Sequence, residues 1–99
     1  MTIQDVRITR HDQGDAGEYH AHVPGSKAMG RLTWVSRGDG ARVAEHTIVP
    51  PEIGGRGIAG ELVKELVADA REHGFAIVPQ CSYVAVKFRE NPEWADLLA

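Results

Sequence analysis

The sequence is poor in several features that define whole classes of protein. Its single cysteine among 99 residues excludes an internal disulfide and favours a reducing compartment, by default the cytoplasm. No apolar run approaches the ~18 residues that a membrane-spanning helix needs, so a membrane is not expected as a partner. The net charge of −3 supplies no basic field that would attract nucleic acid or an anionic lipid surface.

What the chain does contain is typical of one small folded domain. Hydrophobic residues make up 42% and charged residues 25%, and a chain of this length has room for one modest core. We therefore predict a single domain over residues 1–99. Residues 1–5 lack the basic and apolar regions of a signal peptide, which again favours a cytoplasmic protein.

The first half of the sequence has the alternation of β-strands. Apolar and polar residues alternate with a period of two, which predicts strands near residues 3–10, 18–23, 27–37 and 42–49. The polar run 11–17 is predicted to be a loop. Short turns between the strands indicate an antiparallel meander.

The second half has a different period. Apolar residues recur at helical spacing and predict one long helix over 58–73, with Gly74 as its C-cap. A short apolar run at 75–78 predicts a buried strand parallel to the fourth, and residues 82–90 and 93–98 predict two further helices. The order β-β-β-β-α-β-α describes an α/β (α+β) domain with a mixed, mainly antiparallel sheet.

Four glycines lie within residues 54–60, between the fourth strand and the long helix. A glycine backbone accepts positive φ and lets a ligand approach closely. The first turn of a helix carries unpaired amide protons and the positive end of the helix dipole. Together these features predict a cradle for a pyrophosphate, with Arg56 as a nearby cation.

Two simpler interpretations of the glycine segment fit less well. A plain turn from strand to helix needs only one or two glycines. The match of Gly55-x-Gly57-x-x-Gly60 to a dinucleotide-binding motif lacks its context, because that fold uses a tight turn and an acidic residue after the next strand. Here the next strand is followed by Pro79 and Gln80.

The third interpretation is a resemblance to the GCN5-related N-acetyltransferases, and within them to a subfamily of very small proteins. The acetyl-coenzyme A loop of that family reads [Q/R]-x-x-G-x-[G/A] at this junction, and Gly57-Ile58-Ala59 matches its second half. The stretch 45–50, Cys81 before a helix, and the stretch 91–94 extend the resemblance over nearly the whole chain. Gly54 stands where the family motif usually has Arg or Gln.

The resemblance implies a fold, a cofactor and a reaction. Acetyl-coenzyme A is the implied cofactor, with its pantetheine arm between splayed fourth and fifth strands and its thioester near residues 45–49 and 78–82. The implied acceptor is an amine, on a protein lysine, a peptide or a small molecule. The cofactor-binding residues expected at this junction are Ile48, Val49, Gly54, Gly55, Arg56, Gly57, Ile58 and Ala59. Lys87, which flanks the expected groove, is the cation expected near the 3′-phosphate of the coenzyme.

Cys81 and His46 are the candidate catalytic residues. A thiol at a helix N-terminus has a lowered pKa, although a free cysteine is equally often a small buried residue. The ordinary pKa of histidine suits a general base, and a hydrogen-bonded structural histidine is the alternative. Two functions stay open: an N-acetyltransferase, and a non-catalytic coenzyme A-binding protein that carries or senses acyl groups through Cys81.

A metal site is not expected from the sequence. His20 and His22 share a strand face, but no third ligand follows them at a recognisable spacing. His11 and His73 are predicted to be surface residues. The aromatic residues expected in or against the core are Tyr19, Trp34, Phe75, Phe88 and Trp94.

Overall fold

A computed structural model of the chain describes residues 6–99. The strands are β1 (Arg7–Asp12), β2 (Ala16–His22), β3 (Met29–Ser36), β4 (Ala41–Ile48) and β5 (Ala76–Pro79). The helices are α1 (Ile58–His73) and α2 (Ser82–Glu90), with short 3-10 segments at Pro51–Ile53 and Pro92–Leu97. This order confirms the predicted one. Residues 3–5 of the predicted first strand lie outside the described residues.

The predicted loop over residues 11–17 is wrong in its extent. β1 continues through Asp12 and β2 begins at Ala16, so the connection is a tight turn. Gln13 N donates to Ala16 O at 2.8 Å, and Gly14 takes the positive φ of 79° that the turn requires. Polarity misled the prediction, because an antiparallel strand with a solvated face carries polar side chains without leaving the sheet.

The five strands form one sheet in chain order, β1-β2-β3-β4-β5. The first four are antiparallel, and β5 is parallel to β4, as predicted. The β4–β5 pairs run from Ala41 with Ala76 to Ala44 with Pro79. β4 itself stays paired with β3 as far as Ile48. The two strands therefore separate after Ala44, and residues 45–48 extend beyond the last pair.

A β-bulge lies in β4 where it separates from β5. Thr33 pairs with His46, whereas the next residue, Trp34, pairs with Ala44, so Glu45 is the extra residue. A bulge of this kind bends the strand and re-aims the side chains that follow it. Beyond the bulge, Thr47 pairs with the buried Leu32 and shares its face.

One hydrophobic core lies between the sheet and the two helices. The apolar stripe of α1 faces β2 and β3, and β3 approaches the helix closely at Gly30, where an added Cβ would lie 3.0 Å from Ile58. Each fully buried aliphatic side chain contributes about 1.5–3 kcal/mol. The predicted aromatic positions are confirmed: Tyr19, Trp34 and Phe88 are buried, and Phe75 and Trp94 pack partly buried against the same core.

A buried carboxylate joins the sheet to α1. Asp69 is 3% exposed, and Tyr19 Oη donates to it at 2.5 Å. Arg10 Nη1 and Arg42 Nη1 donate to the same carboxylate at 3.0 and 3.2 Å. Burial raises the pKa of Asp69, but the hydrogen bonds from Tyr19 and His73 and the two guanidinium charges outweigh it and hold the pKa below its usual range. Asp69 is therefore an ionised link between three strands and one helix.

Arg42 is also held by aromatic rings. Its guanidinium carbon lies 3.8 Å from the centroid of Trp34 and 4.1 Å from that of Phe75. The Trp34 ring in turn lies directly on Gly17, its cross-strand partner, where a Cβ would overlap the ring. This stack needs glycine on β2 for space. Within residues 6–99 no helix is both long enough and apolar enough to cross a lipid bilayer.

Candidate functional site

The glycine segment forms the start of α1. Gly57 is the N-cap with φ 75° and ψ 15°, and Gly55 has φ 72°, so both adopt the left-handed conformation that favours glycine. Gly57 brings no capping side chain, and the first intrahelical bond runs from Glu61 N to Gly57 O at 3.2 Å. The amides of the first turn are therefore available to an external anion.

The side chains around this helix start differ in what they can offer. Ile58 is 2% exposed and packs in the core, so only its amide can contribute to a ligand site. Ala59 follows it in the first turn, half-buried, and Arg56 is exposed. Gly54 has an extended backbone that any residue adopts, but a Cβ there would lie 3.4 Å from Pro51 O. The site thus offers backbone donors and the Arg56 charge, which suit a pyrophosphate.

A slot opens between β4 and β5 beside this helix start. Cys81 N donates to Ala44 O at 2.9 Å, which is the last backbone contact before the strands part. Residues 45–48 then run on toward the glycine segment with β3 on one side only. Ile48 is 45% exposed at this end, and Val49 packs partly buried against the core. The backbone groups of residues 45–48 on the side away from β3 therefore have no partner in β5.

Cys81 lies at the closed end of the slot. It is the N-cap of α2, as predicted, and its Sγ lies 3.6 Å from Thr47 Oγ1. Burial raises the pKa of this thiol, but the amides of Val84 and Tyr83 and the hydroxyl of Thr47 more than offset it, so the pKa is below its ordinary value. The thiol is half-buried and open to ionisation.

The two candidate catalytic residues lie on opposite sides of the sheet. His46 pairs with Thr33 and is exposed on the face turned away from α1. Thr47 shares the core face with Leu32, and this is the side on which Cys81 packs. The structure therefore brings Cys81 together with Thr47, which sequence reasoning had not singled out. The only available signal was the alternation along β4.

Tyr83 is a second residue that sequence reasoning missed. A Cβ on Gly60 would lie 3.6 Å from the Tyr83 hydroxyl, so α2 places this phenol against the first turn of α1. Lys87 lies one turn further along α2, with Nζ 5.5 Å from the Tyr83 ring centroid and 3.2 Å from Glu90 Oε1. The hydrogen bond to Glu90 raises the pKa of Lys87, which stays a cation.

Three of the histidines come together elsewhere on the sheet. The pairing of β1 with β2 places His11 beside His20, with ring centroids 4.0 Å apart. Ring nitrogens of these two and of His22 lie within 4.8 Å of one another. Sequence reasoning placed His11 in a loop, so the third member of this group was missed.

The five-stranded sheet and its helices define a mixed α/β domain. A family model described as GCN5-related N-acetyl-transferase matches residues 18–97. The chain belongs to this family.

A solved structure supports the fold assignment. The chain is similar to the NMR solution structure of a GCN5-like candidate N-acetyltransferase from Staphylococcus aureus, with a TM-score of 0.68 and 21% sequence identity. The match covers 92% of this chain and 87% of that one. At this identity the similarity establishes the fold, and the predicted GCN5-related acetyltransferase fold is confirmed.

Proposed function

We propose that the protein is an acetyl-coenzyme A-dependent N-acetyltransferase that acts on an amine. The observation that carries the proposal is the position of Cys81. Its thiol, with a lowered pKa, lies beside Thr47 at one end of a slot that leads along β4 to a glycine-capped helix start. The proposal therefore places Cys81, a nucleophile or proton donor, and the anion site at Gly57 at the two ends of one stretch of chain.

The binding part of the proposal rests mainly on the backbone. The first-turn amides after Gly57 and the charge of Arg56 hold the pyrophosphate, and Lys87 is the cation offered to the 3′-phosphate. The backbone groups of residues 45–48 that face away from β3 form hydrogen bonds with the amide groups of the pantetheine arm. The cofactor, when bound, supplies an activated acetyl group as a thioester.

In the proposed mechanism, Cys81 and His46 act from opposite sides of the sheet and have different roles. Cys81 gives a proton or a hydrogen bond to the departing thiolate, because its thiol has a pKa below the ordinary value and releases a proton more readily than a free cysteine does. His46, exposed on the other face, is the general base for an amine that approaches from solvent. The net acidic charge of −3 favours a cationic acceptor only weakly.

An acyl carrier is the second candidate function, and the lowered pKa of Cys81 favours it. The Cys81 thiolate would attack the acetyl carbonyl, form a new thioester, and release coenzyme A as its thiolate. The protein would then hold the acetyl group on Cys81 rather than pass it to an amine.

Two measurements on the unmodified protein separate these functions. Calorimetry with acetyl-coenzyme A tests binding, and an absence of heat at millimolar ligand overturns both candidates. Incubation with isotope-labelled acetyl-coenzyme A and a panel of amines, followed by mass spectrometry, then tests transfer. Label on an added amine supports the enzyme, and a lasting adduct on Cys81 alone supports the carrier.

Single substitutions test the roles proposed for Arg56 and Cys81. Arg56→Gln is expected to raise the Kd for acetyl-coenzyme A about fivefold, since an exposed charge contact contributes about 1 kcal/mol. Arg37→Gln is the matched control, because Arg37 is exposed in the β3–β4 turn and paired with Asp39. Cys81→Ala is expected to lower turnover with little change in Kd. Unchanged turnover in this variant would remove Cys81 from the mechanism.

A further inference from the structure

The acetyl-transfer site leaves unexplained a histidine cluster, made of His11, His20 and His22. Thr9 pairs with His20, and Arg7 pairs with His22, across β1 and β2. Residues paired across two strands point to the same face. The neighbours of these histidines along β2, Tyr19 and Ala21, are buried toward α1. The cluster therefore lies on the opposite face of the sheet.

Two imidazoles of the cluster meet at one hydroxyl, and the third lies stacked beside them. His11 Nε2 lies 2.7 Å from Thr9 Oγ1, and His22 Nε2 lies 2.8 Å from the same oxygen. The ring of His20 stacks on that of His11 at 4.0 Å. One ring nitrogen from each histidine lies within 4.8 Å of the others. Two strands thus bring three nitrogen donors to a single place.

Glu18 orients one of the three rings. Its Oε1 lies 2.8 Å from His20 Nε2. In a neutral ring that donates from Nε2 to this carboxylate, Nδ1 is the nitrogen with a lone pair for a metal ion. A carboxylate that accepts from the far nitrogen of a histidine is the usual outer partner of a metal-binding imidazole.

We propose that His11, His20 and His22 form a binding site for a divalent transition-metal ion of the zinc type. Imidazole nitrogen suits Zn²⁺, Ni²⁺ and Cu²⁺, whereas Mg²⁺ and Ca²⁺ select oxygen. Zn–N bonds of ~2.0–2.1 Å in a tetrahedron require nitrogens about 3.3 Å apart. Metal binding therefore requires the His11 and His20 rings to leave their stack and the Thr9 hydroxyl to turn away, so that the in-plane lone pairs meet at one ion. Water completes the coordination.

The other group of ligand-type residues does not suit a cation. Asp69, Glu72 and His73 also lie within 4.8 Å of one another. The Asp69 carboxylate, however, already accepts from the guanidinium groups of Arg10 and Arg42. A metal ion there would meet two positive charges and displace two salt bridges. The histidine cluster is the better site because imidazole can bind a metal ion as a neutral ligand.

Metal at this site would connect β1, at the edge of the sheet, to β2. His11 lies on β1, while His20 and His22 lie on β2. The site is on the opposite face of the sheet from Thr47 and Cys81, so it acts on the stability of the edge strand rather than on acetyl transfer. The proposal therefore stands independently of the proposed function.

The test uses the full chain without a polyhistidine tag, titrated with Co²⁺ as a spectroscopic probe for Zn²⁺. We expect d–d absorption bands that saturate at one equivalent and disappear when Zn²⁺ is added. His11→Gln and His22→Gln should each weaken Co²⁺ binding at least about tenfold. Replacing even a residue that only hydrogen-bonds to a metal ligand lowers metal affinity by about 10–100-fold. His46→Gln and His73→Gln are the matched controls and should bind as the unmodified protein does.

Thermal unfolding completes the test. Zn²⁺ should raise the Tm of the unmodified protein and of both control variants, but not of His11→Gln. His11 is exposed, so this variant is expected to fold, which circular dichroism without metal verifies. Absence of the d–d bands, or equal affinity in His11→Gln and the unmodified protein, overturns the proposal. Loss of binding in His73→Gln would move the site to Asp69 and likewise overturn it.

Discussion

Cys81 shows how a single side chain acquires its chemistry from two elements. The start of α2 supplies amide protons, and β4 supplies the Thr47 hydroxyl at 3.6 Å. When the thiol ionises, that hydroxyl can turn and donate to the thiolate. The pair exists only because the bulge at Glu45 sets Thr47 on the core face of β4.

The thiol's titration is the first prediction at this scale. The pH profile of Cys81 alkylation by iodoacetamide, followed by intact mass, should have its midpoint below the ~8.5 of a free cysteine. Thr47→Val keeps the shape of the side chain and removes the hydroxyl, so it should raise the midpoint.

Thr33→Val is the matched control for that measurement. Thr33 lies on the neighbouring strand and faces the other way, and its hydroxyl has no hydrogen-bond partner among residues 6–99. Its replacement should leave the Cys81 midpoint unchanged. Equal midpoints in the Thr47 and Thr33 variants would show that the hydroxyl does not act on the thiol.

The residue scale is also where sequence reasoning fell short. It found Cys81 at the start of a helix, since helical periodicity fixes where α2 begins. The alternation places Thr47 opposite His46, but it shows neither that Thr47 meets Cys81 nor that His11 meets His20, because both contacts depend on register. One inserted residue at Glu45 and a tight turn at Gly14 decide which side chains meet, and neither changes the apolar pattern.

At the scale of elements, α1 was predicted with both of its ends correct, at residues 58–73. Its apolar stripe, its left-handed Gly57 and its Gly74 C-cap are local signals that agree with one another. The separation of β4 from β5 came only from the family resemblance. Periodicity shows that two strands exist, but it does not show where their pairing stops.

The start of α1 gives the second prediction. Gly55→Ala forces a Cβ onto a residue with φ 72°, which costs about 1–2 kcal/mol. Relief of that strain re-aims the amides that follow, so acetyl-coenzyme A should bind more weakly by calorimetry, and the protein should melt at lower temperature.

Gly14→Ala separates the strain from the binding site. Gly14 has φ 79° and open space around it, as Gly55 does, but it lies in the β1–β2 turn. The two variants should lose similar stability, and only Gly55→Ala should lose affinity. If Gly14→Ala weakens acetyl-coenzyme A binding as much as Gly55→Ala does, the loss of affinity comes from general destabilisation. In that case Gly55 is not part of the pyrophosphate site.

At the scale of the whole molecule, the Asp69 network links the meander to the helix that covers it. The pKa of Asp69 is held below its usual range, so its contribution to stability is complete above the unfolded pKa of ~3.9 and is lost as the pH falls through the folded value. We expect the free energy of unfolding to drop steeply below about pH 4.

Asp69→Asn should remove much of that acid dependence. Its stability near pH 7 should fall by about 3 kcal/mol, because Arg10 and Arg42 lose a buried counter-charge. Urea unfolding from pH 2.5 to pH 7 measures both effects. Asp15→Asn, at an exposed turn position, is the control and should follow the unmodified protein. An acid limb as steep in Asp69→Asn as in the unmodified protein would contradict this role.

The early end of β5 has a consequence for how such a site changes over generations. Residues 45–48 pair with β3 but not with β5, so their backbone groups on the side away from β3 have no partner in β5, and Thr47 adds its hydroxyl beside Cys81. A surface built from peptide groups is the same whichever amino acids carry it. Substitutions along residues 45–48 would therefore be selected for how well the strand folds more than for how well a ligand binds. The backbone groups there would stay the same while the amino acids that carry them change. Differences in ligand preference between proteins of this family would then depend on a few side chains at the two ends of this segment, such as Cys81 and Arg56.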